Sequence, residues 1–269
     1  MMTRVLLLTL IAALAAAMPG RAQAPPPPGV DDLLERVFGA DQKQPAELRA
    51  DFAAELTLKS PLGIHVARGT GTYAQWRRPG EKMRQRVMIT KMEVPLLLRP
   101  FEGYLKTFIS EKVEGQVEQS SVLHEHDVFL LDERPGGMWV LAGVRRDIVT
   151  AFMTRYGRQG DANNTPARRA IARWMYTRMR DELVRPGGSY LFRALVDAEG
   201  NIHDLTLRYD WGPVNTRVDY VRVGGSPVWR KVVVDSSTEF GGWGRVSGLL
   251  ALDFSNHCLN NCGVPGAHP

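Results

Sequence analysis

The sequence predicts a mainly β protein with helices (α+β), built on an antiparallel meander that either curls into a barrel or has one face covered by helices. Three observations predict it. Segments with alternating apolar and polar residues recur from Phe52 to Phe254, short turns rich in Gly and Pro separate most of them, and two helical stripes interrupt them near the middle. Short turns force antiparallel pairing, because a parallel pair needs a crossover of about a dozen residues or more.

The first 24 residues have the order of a secretory leader. Arg4 precedes the apolar run Val5 to Met18, Pro19 and Gly20 break it, and Ala22-Gln23-Ala24 supplies the small-residue cleavage pattern. The run is shorter than the roughly 20 residues needed to cross a bilayer, so the mature chain is expected not to span a membrane. No Cys follows Ala24 to carry a lipid. Pro25 to Pro28 instead begin a stiff spacer over 25–30. Residues 31–255 are read as a single domain with a helical insertion at about 146–185, followed by a Cys-containing tail at 256–269.

Removing Arg4 and Arg21 with the leader leaves 32 of the 34 Lys and Arg against 29 acids, a net charge of +3. So even a balance predicts no nucleic-acid footprint. The two cysteines, Cys258 and Cys262, lie in a polar Cys-Leu-Asn-Asn-Cys segment. In an oxidising compartment that spacing closes a small disulfide loop, the reading adopted; two free thiols, or a metal pair completed by His257 or His268, are the alternatives.

Along the chain, Asp31 and Asp32 stand before Leu33, Leu34, Val37 and Phe38, the pattern of a short helix with acids at its positive end. Phe52, Ala54, Leu56 and Leu58 then alternate with polar residues. Pro61-Leu62-Gly63 turns into a second strand from Ile64 to Trp76. From Met83 to Leu98 the chain is apolar at both parities, with Met83, Val87 and Ile89 on one side and Met88 and Met92 on the other; Val128 to Leu131 and Met138 to Leu141 share the excess. Both faces of the sheet therefore meet something dry, either core packing or a cavity.

The first central helix is predicted from Arg146 to Tyr156, with Ile148, Val149, Phe152, Met153 and Tyr156 on one stripe and Gly157 to stop it. Thr165 caps a second helix with Pro166 at its first position, and Ile171, Trp174, Met175, Met179 and Leu183 form its apolar face. Strands resume at Tyr190 to Val196, turn at Asp197 to Asn201, return through Leu205 to Trp211, and continue at 217–223, 228–235 and 246–254. The expected total is about a dozen strands and three helices.

The segment Arg78-Pro79-Gly80-Glu81-Lys82-Met83-Arg84 resembles the LolA-like lipoprotein carriers, whose second hairpin commonly carries a Pro, a bulky apolar residue and an Arg. Asp197-Ala198-Glu199-Gly200-Asn201-Ile202-His203-Asp204-Leu205 looks like the late hairpin of that family. Gln85 stands where the family often has an aromatic residue, and the helical insertion is longer than a minimal lid. The resemblance implies an incomplete antiparallel barrel curved around an apolar cavity and closed by a helical lid. It also implies a periplasmic location, an acylated lipoprotein or lipid as cargo, and membrane-bound donor and acceptor proteins. Met88, Met92, Phe152, Trp174, Met175 and Met179 are then the expected lipid-binding residues, methionine because its thioether adapts to chains of different shape. Arg84 is the expected lid latch, and the loop at 157–164 the hinge.

No enzyme is expected. The chain has no Gly-x-Ser-x-Gly elbow, no His-Glu-x-x-His and no phosphate-cradling loop, and no cofactor is implied. His124 and His126 share a strand face, but no third metal ligand is placed beside them. The competing readings are an envelope adaptor that grips a protein partner without lipid and, further off, a metal-dependent enzyme.

Overall fold

Alternation along ten segments resolves into ten strands of one antiparallel sheet in a computed structural model that describes residues 30–38, 45–77, 83–115, 123–156, 165–239, 244–260 and 262–263. The expected leader, most of the expected spacer, and residues 78–82 and 157–164, expected as a turn and a hinge loop, lie outside the described residues. The strands are β1 (Glu47–Ser60), β2 (Gly63–Trp76), β3 (Arg84–Glu93), β4 (His126–Arg134), β5 (Met138–Arg145), β6 (Leu191–Asp197), β7 (Ile202–Tyr209), β8 (Gly212–Val223), β9 (Ser226–Glu239) and β10 (Arg245–Leu259). Their order, β3-β2-β1-β10-β9-β8-β7-β6-β5-β4, pairs the first strand with the last at the centre and leaves β3 and β4 as the two edges of an open, curved sheet.

Among the described residues four α-helices accompany it: α1 (Val30–Phe38), α2 (Glu102–Gly115), α3 (Arg146–Arg155) and α4 (Pro166–Arg178). Thr165 caps α4 by accepting from the Arg168 amide at 3.4 Å, with Pro166 next to it, as the sequence predicts. α4 ends earlier than predicted. Met179 is its C-cap and Arg180–Glu182 form a 3-10 turn. α2 is the element absent from the sequence prediction, which carried the apolar run through Val94 to Leu98 as sheet. Leu96–Phe101 is instead a 3-10 turn leading into α2. Leu105, Ile109 and Val113, four residues apart, are the signal that predicts α2.

The register fixes which side chains share a face, since paired residues point the same way. Phe52 pairs with Phe254 and Gly71, Leu252 with Val232, Val232 with Val218, Leu205 with Thr216 and Ala194, and Ala194 with Leu141. This aromatic face runs across the whole sheet. α2 covers its first part through Leu105, Ile109 and Val113, which pack with β1, β2, β9 and β10. α1 covers its far part through Leu33, Leu34 and Val37, against Phe192, Val196 and Leu205.

On the opposite face the buried apolar cluster lies at β4 to β6, where α3 and α4 pack on Phe129, Ala142, Val144 and Leu191. β4 is thus wrapped from both sides. Asp31 of α1 meets Arg169 of α4 at 2.8 Å around its free edge, which leaves that edge less open to pairing with another chain.

Candidate functional site: the aromatic face beneath α2

Small residues floor this region. Ala50 and Ala54 on β1 and Ala67, Gly69 and Gly71 on β2 all point to the aromatic face, so the backbone there lies open as a recess. Two side chains fill it. The Phe52 ring lies over Gly71, where a Cβ would come within 2.7 Å of Cζ. Ile109 of α2 reaches over Gly69, its Cδ1 4.0 Å from where a Cβ would stand, with the Met92 sulfur at 3.5 Å.

Aromatic rings form the wall. Tyr73 lies 5.7 Å from Trp229 and 6.4 Å from Phe254, and Phe254 lies 6.0 Å from Trp229 and 6.3 Å from Phe52, all tilted or edge-on as ring quadrupoles favour. At one end the wall turns polar. The Tyr73 hydroxyl donates to Gln75 Oε1 at 2.7 Å, and Gln85 pairs with Gln75 across the strands. Among the described residues Gln85 Oε1 is buried without a hydrogen-bond partner. Burial, and then the charge of Glu114, push the Tyr73 hydroxyl well above the usual phenol range, so it stays protonated and donating.

α2 is held by Leu105, Ile109 and Val113, which are buried, and by the half-buried Phe108. Burying Leu105, Ile109 and Val113 contributes about 1.5–3 kcal/mol each, before the cost of ordering the helix.

The residues expected to bind lipid do not converge. Met92 joins the recess. Met88 points to the opposite face and is 51% exposed. A register shift between Thr70 and Gly71 puts Met92 with Val87 and Ile89, which corrects the grouping of Met88 with Met92. Met175 is buried and Met179 half-buried between α4 and the sheet, on the opposite face. Phe152 packs on Tyr156 at 4.8 Å and on Trp174 at 5.6 Å, and Trp174 is 44% exposed.

The two helices expected to close the cavity thus dock on the other side of the sheet, because Phe129, Ala142, Val144 and Leu191 face that way. The helix over the aromatic face is α2. Arg84 pairs with Trp76, one residue from Gln85, and so belongs to the opposite face, away from α2. Cys258 and Cys262 are disulfide-bonded, Cα to Cα 5.6 Å, and β10 runs on to Leu259. His126 is buried edge-on against Phe192 and shares its Nε2 with the Ser189 carbonyl at 3.2 Å, whereas His124 is exposed ahead of β4. Among the described residues no group of three His, Cys, Asp or Glu can hold a metal.

No family model matches the chain, and no curated protein matches it in sequence. Solved structures similar in shape include a DUF1329 family protein from Desulfovibrio piger, 9% identical with a TM-score of 0.42 over 87% of this chain and 94% of that one. A putative outer membrane lipoprotein-sorting protein domain from Vibrio parahaemolyticus is 10% identical, with a TM-score of 0.38 over 86% and 94%. Lipovitellin is 6% identical, with a TM-score of 0.30 over 80% of this chain and 26% of that one. No helix among the described residues is long and apolar enough to cross a membrane.

Proposed function

We propose that this protein is an exported, periplasmic lipid carrier that holds an acyl chain of a lipid or lipoprotein against the aromatic face in place of α2. The observation that supports this reading most is the small-residue recess. A sheet that needs only a core fills its inner face with its own large side chains, whereas here Gly69 and its neighbours leave depth that a side chain from a separate helix occupies. Gln85 Oε1 adds a polar anchor for a ligand hydroxyl or amide N–H near the entry of the chain. Holding and releasing cargo requires no bond-making step, and we assign the protein no reaction and no cofactor.

The test is native mass spectrometry of gently purified protein, with Gly69→Leu as the variant. Wild-type protein should carry added mass that detergent washing removes and that returns on incubation with phospholipid. A Leu at position 69 meets only ordinary contacts at its Cβ but adds four carbons to the recess, which predicts roughly a hundredfold lower retention with an unchanged circular dichroism spectrum. Wild-type protein that neither carries nor takes up lipid, or a variant that retains it fully, refutes the carrier reading.

A further inference from the structure

Arg193 stands on β6 near the middle of one half of the sheet, on the face away from α2. Its register neighbours are Ala142 on β5, which is buried, and Thr206 on β7. It lines a cleft of about 430 Å3 together with Arg134, Asp204, Thr206, Asn215 and Arg217. The volume lies within the range of small-molecule sites.

The charges in the cleft do not balance. Arg217 lies 3.7 Å from Asp204, and Arg134 lies 3.5 Å from Asp132. Asp235, on the next strand beyond Asn215, accepts from Asn215 Nδ2 at 2.8 Å, while Thr206 donates to Asn215 Oδ1 at 2.9 Å. Arg134, Asp204, Thr206, Asn215 and Arg217 thus each have a partner, but Arg193 has neither an ion pair nor a hydrogen bond among the described residues. A guanidinium in water needs none. This one lines a cleft together with two further cations, Arg134 and Arg217, which raises the local concentration of anions.

We propose that this cleft binds a phosphate group, with Arg193 as its main contact and Arg217 and Arg134 flanking it. The rigid donor fork of arginine matches phosphate oxygens two at a time, and three forks from β4, β6 and β8 can share the three free oxygens of a monoester. Met138, Val140 and Leu195 line the same cleft and give an aliphatic portion of the ligand a surface to lie on. The sheet itself separates this site from the recess under α2, so the two sites bind independently.

The test is isothermal titration calorimetry in about 0.15 M NaCl with three probes: inorganic phosphate, glycerol phosphate and dihexanoylphosphatidic acid. Saturable one-to-one binding of at least one probe is expected, about tenfold weaker in Arg193→Gln and in Arg217→Gln, and unchanged in Gly69→Leu. Equal affinity for inorganic phosphate and the short lipid identifies a free phosphate as the ligand. Binding of the lipid alone identifies a head group. Arg193 is exposed, so its replacement leaves the fold intact, and circular dichroism confirms that. The proposal fails if no probe binds at millimolar concentration, or if Arg193→Gln binds as wild type does. Loss of binding in Gly69→Leu alone places the ligand under α2 and also overturns it.

Discussion

The Arg168 guanidinium holds the Asp127 carboxylate through Nε at 2.9 and 3.0 Å and through Nη2 at 2.7 Å, with the two side chains 1% and 0% exposed. Nη2 also donates to the Arg146 carbonyl at 3.1 Å and to Thr150 Oγ1 at 3.0 Å, so one side chain of α4 ties β4 to α3. A buried pair of this kind gains little over an apolar pair of the same shape, but removing one partner strands a charge.

Arg168→Met should therefore destabilise the protein by about 3 kcal/mol, at the low end of the usual range because Arg146 Nε lies 3.8 Å from Asp127 and can partly replace it. The double variant Asp127→Leu with Arg168→Met should recover most of that loss. Urea unfolding of the three proteins measures both, and a double variant no more stable than Arg168→Met contradicts the stranded-charge explanation.

Gly71→Ala tests the recess from below. An added methyl would meet the Phe52 ring at 2.7 Å and the Met88 carbonyl oxygen closer still, with backbone on one side that cannot yield. We expect a loss of about 1–3 kcal/mol by overpacking. Phe52→Leu in the Gly71→Ala background should restore part of it, read as a rise in the urea midpoint over Gly71→Ala alone.

Asp197, at the β6–β7 turn, carries a pH dependence. Burial raises its pKa, but hydrogen bonds from the Asn201 side chain at 2.9 Å, from His203 at 3.0 Å and from the amides of Asn201 and Glu199 at 2.9 Å outweigh it and hold the carboxyl below its ordinary value of 3.8. A depressed folded pKa contributes stability that is fully present above the unfolded pKa and is lost as pH falls through the folded one. Asp197→Asn should thus be less stable than wild type at neutral pH, and the gap should close as pH falls through the lowered pKa of Asp197. Unfolding curves at several pH values measure it. A gap that stays constant into acid assigns the effect to turn geometry alone.

Much of the architecture was legible in local pattern. The strand Phe52 to Leu58, the Arg146 helix, the Thr165-Pro166 cap and the Asp197 to Asn201 turn all follow from interactions within a few residues, and each lies where its pattern places it. α2 was legible in the spacing of Leu105, Ile109 and Val113, though the prolines at 95 and 100 and the apolar run before it read as strand. The candidate site was less legible. Gly69 and Gly71 read as ordinary strand residues until Ile109 and Phe52 are seen above them, and Arg193 reads as a solvated position until Ala142 and Thr206 are set on either side.

By itself the sequence determined most strands, three of the helices and, in strands without a bulge, which residues share a side, because side-chain direction repeats every two or 3.6 residues and needs no distant partner. Only the tertiary structure decided which side of the sheet each helix covers. One register shift at Thr70 and Gly71 reassigns Met88 and Met92, and the docking of α3 and α4 depends on apolar side chains from β4, β5 and β6, brought together by pairing far apart in the chain.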